Sequence, residues 1–133
     1  MKRVLAVAGG LVLVAFVAAG RPVPQSQEVV VSVRCPAGNN PASVNPETVH
    51  VAQGGSIDWR VTGPAASDSI RISLKDPRQG WPFAGAPPRG VSSARASGAR
   101  NPGTYPYNVH LICRVPGGDP EEVTIDPDII VDE

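Results

Sequence analysis

The sequence predicts an all-β protein, folded as an antiparallel β-sandwich and preceded by an export signal. Short segments rich in β-branched residues alternate apolar and polar side chains with a period of two. Clusters of Gly, Pro and Asn separate these segments, as expected for turns. No stretch beyond the first 20 residues has a long helical period. Strands that must bury one face without helices predict a sandwich of two sheets.

The N-terminus predicts a secretory signal. Lys2 and Arg3 precede an uncharged apolar run from residue 4 to residue 19, and this order is typical of signal peptides. Small residues favour cleavage near Ala19 or Gly20. An uncleaved membrane anchor is the alternative, since a run of about 17 to 25 residues can span a bilayer. In both cases we expect a periplasmic or extracellular protein. The chain thus divides into a signal peptide at residues 1–20, a linker at 21–27 and one sandwich domain at 28–133.

Seven segments of the domain follow the strand pattern. They are residues 28–34, 48–51, 56–61, 69–74, 104–113, 121–125 and 129–131. We expect the second and third to form a hairpin around the Gln-Gly-Gly turn at residues 53–55. Residues 36–46 and 75–103 predict loops. The second of these is long for a compact domain, which is typical of a functional or mobile segment.

Two cysteines, Cys35 and Cys113, lie in the domain. An even number in an exported chain predicts one disulfide. Each cysteine ends an apolar strand, so a bridge would join the first strand to the late strand if the two are neighbours. Two buried free thiols are the alternative. A redox-active pair is not expected, because the Cys-x-x-Cys spacing is absent.

Charge is balanced over the whole chain but unevenly distributed. Residues 21–118 carry ten Lys or Arg and five acidic residues, whereas residues 119–133 carry seven acidic residues and no Lys or Arg. The acidic end either pairs with arginines of the same domain or solvates the terminus. A nucleic-acid surface needs clustered positive charge interleaved with aromatics, and this pattern is absent. We therefore expect no nucleic-acid partner.

Two segments resemble a known family. Residues 44–59 read VNPETVHVAQGGSIDW, and residues 103–107 read GTYPY. A proline-led strand, a glycine turn, a strand ending in Trp and a late Gly-x-Tyr-x-Tyr strand resemble the framework of the cupredoxins, the fold of plastocyanin and azurin. This resemblance covers most of the domain, and it implies a Greek-key β-sandwich.

The copper ligands that the resemblance implies are missing. Blue-copper sites use two His, one Cys thiolate and usually a weak axial Met. The cysteine position of the family falls on Val109, and the first ligand His falls among residues 67–69, which read Ser-Asp-Ser. The only methionine, Met1, belongs to the signal. We therefore expect no metal and no cofactor.

The segment predicted as a long loop holds the candidate partner-binding residues. Trp81 and Phe83 either form an exposed patch or fold back to fill the end of the sandwich. Arg89, Arg95 and Arg100 lie among serines and either bind an anionic surface or belong to a flexible, solvated loop. Each reading predicts a different burial for these side chains.

The sequence predicts a copper-free cupredoxin-like module that binds an unknown protein or envelope partner, or gives structural support, and that is not an enzyme. An unconventional copper-binding or electron-transfer protein is the alternative. A third possibility is a hydrolase whose residues converge only in three dimensions. Its sign would be a histidine, His50 or His110, hydrogen-bonded to both a serine and a carboxylate in a cleft. Otherwise we expect both histidines to be ordinary strand residues.

Overall fold

A computed structural model describes residues 27–63 and 69–133 of the chain. The predicted signal peptide and all but the last residue of the predicted linker lie outside these residues. The described part is all-β, and no helix in it is long and apolar enough to cross a membrane. Its strands are β1 (Glu28–Arg34), β2 (Ser43–Asn45), β3 (Thr48–Ala52), β4 (Ser56–Thr62), β5 (Ser69–Leu74), β6 (Arg89–Gly90), β7 (Ser93–Ala96), β8 (Gly103–Cys113), β9 (Glu121–Ile125) and β10 (Asp128–Asp132).

The strands form two sheets that pack face to face. The first sheet has the order β2-β1-β4-β7, and the second has the order β3-β10-β8-β5-β6. The long strand β8 carries β5 along one edge, whereas β9 and then β10 share its other edge. The hairpin of β8 and β9 turns through a Pro-Gly-Gly segment, where the Gly118 N–H donates to the Val115 carbonyl. All seven predicted strands are present, with bounds that differ by at most two residues.

The prediction of a purely antiparallel fold is wrong. Strand β1 pairs in parallel with β4 along its whole length, and β10 pairs in parallel with β3. Both sheets are therefore mixed. A period of two shows which face of a strand is buried but not the direction of its neighbour, so the sequence pattern could not distinguish the two arrangements.

The predicted hairpin of β3 and β4 is also wrong, because the two strands belong to different sheets. The turn between them carries the chain across the sandwich. The Gly54 N–H donates to the Ala99 carbonyl (2.7 Å), and the Ser56 N–H donates to the Gln27 carbonyl (2.8 Å), which leads β4 onto β1. A Cβ on Gly55 would lie 2.7 Å from Cγ2 of Val51, so this crossing requires glycine.

The core lies between the sheets and is built from the inward residues of nearly every strand. Trp59 of β4 and Tyr107 of β8 are fully buried at its centre. The Trp59 indole N–H donates to the Tyr107 hydroxyl oxygen at 3.0 Å, and the two rings meet edge to face. Burial, the largest cause, raises the pKa of Tyr107 well above its ordinary value of 10.0. The tyrosine is therefore a neutral part of the core.

The segments predicted as loops contain three short strands. Residues 36–46 include β2, and residues 75–103 include β6 and β7. Strands β6 and β7 lack the β-branched residues that identify strands in a sequence, and β2 has only one, Val44. Strand β7 instead turns two alanines, Ala94 and Ala96, towards the core, where both are buried. Small side chains fit there because β7 packs close to the second sheet, as its contacts with β5 and β6 show.

The predicted disulfide is present. Cys35 follows the end of β1 and Cys113 ends β8, and their Cα atoms are 5.8 Å apart. The prediction required the two strands to be neighbours, but they are not neighbours in one sheet. They belong to opposite sheets, so the bridge crosses the core at one end of the sandwich.

Candidate functional site

The candidate site lies on the outer face of the second sheet, the face turned away from the core. Ile70 and Ile72 of β5 are buried, so Arg71 between them points outward. On β8, Leu111 is buried and the adjacent His110 points outward by the same alternation. Regular pleating thus places basic side chains on the solvent side of strands that are otherwise held by the core.

Three basic residues lie in line across this face. The strand registers pair Arg89 of β6 with Arg71 of β5, and Arg71 with His110 of β8. We call these three residues the basic row. Directly opposite residues on antiparallel strands have Cβ atoms about 4.5 to 5.5 Å apart, and like charges at that distance destabilise a sheet. The two arginines therefore form an unfavourable pair in the absence of a compensating charge.

His110 is held in place by hydrogen bonds at both ring nitrogens. Its Nε2 lies 2.9 Å from the Ser73 hydroxyl, and its Nδ1 lies 3.2 Å from the Thr124 hydroxyl. The Glu122 carboxylate is 3.4 Å from the same Nδ1. Only 18% of the His110 side chain is exposed. The imidazole is therefore fixed in orientation, and it forms one wall of the site rather than a mobile surface group.

Glu122 is the acidic residue that faces the basic row. Its carboxylate is also 3.7 Å from the Arg71 guanidinium, and about half of each side chain is exposed. Such an exposed pair contributes little to stability. Among the residues that the structure describes, no acidic side chain pairs with Arg89. The row therefore keeps an excess of positive charge.

A recess of about 370 Å³ opens beside the basic row. It is an open depression of the surface rather than an enclosed cavity. The apolar side chain of Ile112 and the end of β5 at Ser69 contribute to its wall. The side chains that decide its chemistry are those of Ser69, Arg71, Arg89, His110, Ile112 and Glu122.

Ser73, His110 and Glu122 meet only part of the sign set for a hydrolase. Nε2 of His110 hydrogen-bonds the Ser73 hydroxyl and the Glu122 carboxylate lies 3.4 Å from Nδ1, which is the order of a Ser-His-acid triad. Nδ1 is hydrogen-bonded to the Thr124 hydroxyl instead, and Ser73 does not line the recess. Such chemistry also needs donors for an oxyanion. The backbone N–H group of Ile72, just before the serine, already donates to the Pro88 carbonyl, and that of Lys75, two residues after the serine, donates to the Pro106 carbonyl. These two N–H groups are therefore not available as oxyanion donors.

The aromatic candidates belong to the packing of the domain. Phe83 is 4% exposed and lies in the core, and Trp81 is half-buried and packs against it. The two ring centroids are 5.3 Å apart. Two backbone hydrogen bonds join their segment to residues 97–100. The Ala84 N–H donates to the Ser97 carbonyl, and the Arg100 N–H donates to the Pro82 carbonyl. This is the placement that the packing alternative predicts, and it leaves no exposed aromatic patch at these two residues.

The three candidate arginines do not form one site. Arg89 belongs to the basic row on the second sheet. Arg95 lies on β7 of the first sheet, where its guanidinium contacts the Glu28 carboxylate at 3.0 Å and the Ser56 hydroxyl at 3.3 Å. Arg100 follows β7, next to the turn that crosses the sandwich. Spacing of five or six residues in the sequence therefore did not indicate proximity in the fold.

The acidic C-terminal region pairs with basic residues of the same domain. Besides Glu122, the Asp126 carboxylate is 3.7 Å from the Lys75 ammonium, and the Asp132 carboxylate is 3.2 Å from the His50 ring. Both pairs are largely exposed. The acidic end therefore pairs within its own domain, which is one of the two alternatives that the sequence left open. Its partners include a lysine and a histidine as well as the expected arginine.

The described residues offer few donors for a soft metal. Both sulfurs are used in the disulfide, so neither is a thiolate while the bridge is intact. The two imidazoles lie on different strands, and each has a hydrogen-bond partner. In the described part of the chain, no three side chains of His, Cys, Asp or Glu are grouped as metal ligands would be.

Sequence reasoning named Arg89 but missed the residues around it. Arg71, Ser73 and Glu122 are ordinary polar positions of alternating strands, and His110 was interpreted as a strand residue. The signal that could have found them is the strand register, because residues on β5, β8 and β9 meet only through the pairing of three separate segments. Local spacing contains no such information.

Comparison with models of known protein families gives no match, and neither does comparison with curated protein sequences. The resemblance to cupredoxins therefore rests on the residues of this chain alone.

Proposed function

We propose that this protein is an exported, copper-free module with a Greek-key, cupredoxin-like sandwich, and that it acts by binding a ligand or partner in the cell envelope. The disulfide supports export, since such bridges persist in oxidising compartments. The signal-like N-terminus supports it independently.

The observation that carries the binding function is the recess beside the basic row. Concave sites with a few converging polar groups are where ligands bind most often. Here the converging groups are two arginines, a fixed imidazole and a carboxylate, all presented from paired strands. A rigid sheet that holds charged side chains against their mutual repulsion is typical of a functional surface, because such an arrangement is otherwise unfavourable.

The copper or electron-transfer alternative has less support in this geometry. A thiolate ligand would require the disulfide to open, and the strand that leads to the metal loop in cupredoxins here ends in that bridge. Calorimetric titration of the oxidised protein with Cu²⁺, followed by visible absorbance, tests the choice. We expect neither tight stoichiometric binding nor blue absorbance. A saturating 1:1 isotherm would instead support the copper function and contradict the proposal.

Export is tested separately by expressing the full chain in a bacterial host that has a periplasm. We expect the protein in the periplasmic fraction, with its two cysteines resistant to alkylation until reductant is added. A matched variant with Lys2 and Arg3 changed to Glu should remain in the cytoplasm, because the positive start of the signal is lost. Cytoplasmic protein with two free thiols from the unaltered chain would contradict export.

A second candidate is a serine hydrolase. It is supported by the hydrogen bond between Ser73 and His110 and by the Glu122 carboxylate 3.4 Å from Nδ1 of the same ring. In that reaction the Ser73 oxygen would attack an acyl carbon while its proton moves to Nε2 of His110, which then protonates the departing alcohol. Water would release the acyl group from the serine. Labelling with a fluorophosphonate and turnover of a nitrophenyl ester test this. Both must disappear in Ser73→Ala and in His110→Gln. Ser93→Ala is the control, because Ser93 is exposed on β7 of the first sheet, and it should leave both signals unchanged.

A further inference from the structure

We infer that the recess binds a tetrahedral oxyanion, a phosphate group held between Arg71 and Arg89. This inference rests on the proposed binding function and names the ligand class for its site. The phosphate can be free inorganic phosphate or the phosphate group of a larger molecule, since the side chains would contact the same oxygens in both.

The first reason is the geometry of the basic row. Arg71 and Arg89 are direct partners across β5 and β6, so both guanidinium groups start from the same level of the sheet. A guanidinium group presents its donors in a planar fork that suits two oxygens of a phosphate. Two such forks at neighbouring positions can share one phosphate ion and contact different oxygens. The pairing that is unfavourable without a ligand then becomes favourable with one.

The second reason is the balance of charge. Glu122 contacts Arg71 and His110 but leaves Arg89 without an acidic partner among the described residues. The two guanidinium groups and the Glu122 carboxylate together carry a net charge of plus one, so the row attracts an anion. A carboxylate has two oxygens and matches one guanidinium fork, whereas a phosphate group has enough oxygens to accept from both forks. The row therefore favours a phosphate group over a carboxylate.

The third reason is the shape of the recess. Its volume of about 370 Å³ exceeds that of one phosphate ion, so an attached organic group has room beside it. The apolar side chain of Ile112 can contact the carbon atoms of such a group, and the Ser69 hydroxyl and the Glu122 carboxylate can bond to its polar atoms. The recess therefore suits a phosphate monoester better than the bare ion.

Calorimetry on the oxidised, folded domain tests the inference with three probes, which are inorganic phosphate, glucose 1-phosphate and glucose. We expect saturable 1:1 binding of the two phosphates and no binding of glucose. Arg71→Gln and Arg89→Gln should each weaken binding about 10-fold, the effect of losing one strong charge-assisted interaction. The matched control is Arg78→Gln. Arg78 is exposed and pairs with Asp76 away from the row, so its loss should leave affinity unchanged.

Vesicles distinguish the source of the phosphate. If a lipid phosphate is the ligand, phosphatidic acid vesicles should retain the protein and phosphatidylcholine vesicles should not, and Arg89→Gln should abolish retention. If only the soluble esters bind, the ligand is a small phosphate monoester. Either result supports the inference. Binding that is lost equally in all three arginine variants, or in none, would overturn it, since it would reflect general charge or another site.

Failure of this inference differs from failure of the proposed function. Absence of phosphate binding, with no copper binding and no ester turnover, would exclude only the ligand class. Stoichiometric copper binding or Ser73-dependent turnover would exclude the binding function itself. Circular dichroism of each variant shows whether its fold is unchanged before affinity is interpreted.

Discussion

The inner and outer faces of β8 differ in chemistry although they belong to the same eleven residues. The inner face carries Tyr105, Tyr107, Val109, Leu111 and Cys113, and all five are buried. The outer face carries His110, which joins neighbouring strands through polar and charged groups.

This difference separates two tasks along a single strand. The inner face packs the two sheets together and supplies stability. The outer face holds charged groups at fixed spacing and gains little stability from them, because exposed ion pairs are weak. Substitutions on the inner face should therefore change the free energy of unfolding, and substitutions on the outer face should change binding. The following predictions test that division, beginning with the largest effect.

Reduction of the disulfide should have the largest effect. The bridge closes a segment with a sequence separation of 78 residues, so its loss should lower the free energy of unfolding by about 4 kcal/mol. Urea unfolding with and without reductant measures the change. The double variant Cys35→Ser, Cys113→Ser is the control and should no longer respond to reductant. Equal stability of the oxidised and reduced protein would contradict the role of the bridge in joining the sheets.

Leu111→Ala should cost about 3 kcal/mol, because Leu111 is fully buried and its truncation leaves a cavity between the sheets. The outward-facing Asn108→Ala on the same strand should change stability by less than about 0.5 kcal/mol. Chemical denaturation of both variants measures the contrast. Similar losses from the two substitutions would show that the faces of β8 are not separated in the way described.

Tyr107→Phe should cost about 1 to 3 kcal/mol, because it leaves the buried Trp59 indole N–H without its acceptor. Denaturation near neutral pH measures this loss. Tyr105→Phe is the comparison, since it removes a hydroxyl that donates to the Asn101 carbonyl at a partly buried position. A smaller loss is expected there, because solvent can reach the vacated carbonyl.

Tyr107→Phe should also change how the free energy of unfolding responds to alkaline pH. Burial raises the pKa of Tyr107 in the folded protein, so above about pH 10 the unfolded state loses a proton that the folded state keeps. The contribution of Tyr107 to stability is therefore fully present below the pKa of the tyrosine in the unfolded chain, and it is lost as the pH rises above that value. Between about pH 9 and about pH 11 the unaltered protein should lose about 1 kcal/mol more than Tyr107→Phe. Parallel curves would contradict the buried, neutral tyrosine.

Arg89→Gln should have the smallest effect on stability, within about 0.5 kcal/mol and in the stabilising direction, because it removes a like-charge pair from the sheet. Thermal unfolding at low and high salt measures it. The gain should be smaller at high salt, where the repulsion is screened. A clear loss of stability would show that Arg89 has a structural partner, and the basic row would then need another explanation.

The sequence predicted the strands better than it predicted their neighbours. Alternation in residues 28–34 identified a strand and its buried face, because burial repeats with the pleat. The same alternation could not show that this strand pairs in parallel with β4. The turn at Gly54 and Gly55 fits both a hairpin and a crossing between sheets, and a tertiary contact with Ala99 accompanies the crossing. Strand β7 was missed because its alanines carry no β signal.

The candidate site was mostly beyond prediction for the same reason. Arg89 was identified from a basic segment, but its partner Arg71 lies 18 residues earlier on another strand. His110 and Glu122 meet because β8 and β9 form a hairpin in one particular register. The cysteines could be paired from the sequence, since only two are present. A site built from three registers has no comparable local signature.

The position of β10 sets an order on folding. This strand lies inside the second sheet, between β3 and β8, and bonds to both. It is also the last of the described strands to leave the ribosome. Strand β3 cannot gain its neighbour in the sheet until nearly all of the domain has been synthesised, and such distant contacts form slowly. The second sheet of the nascent chain thus remains incomplete until β10 has been synthesised.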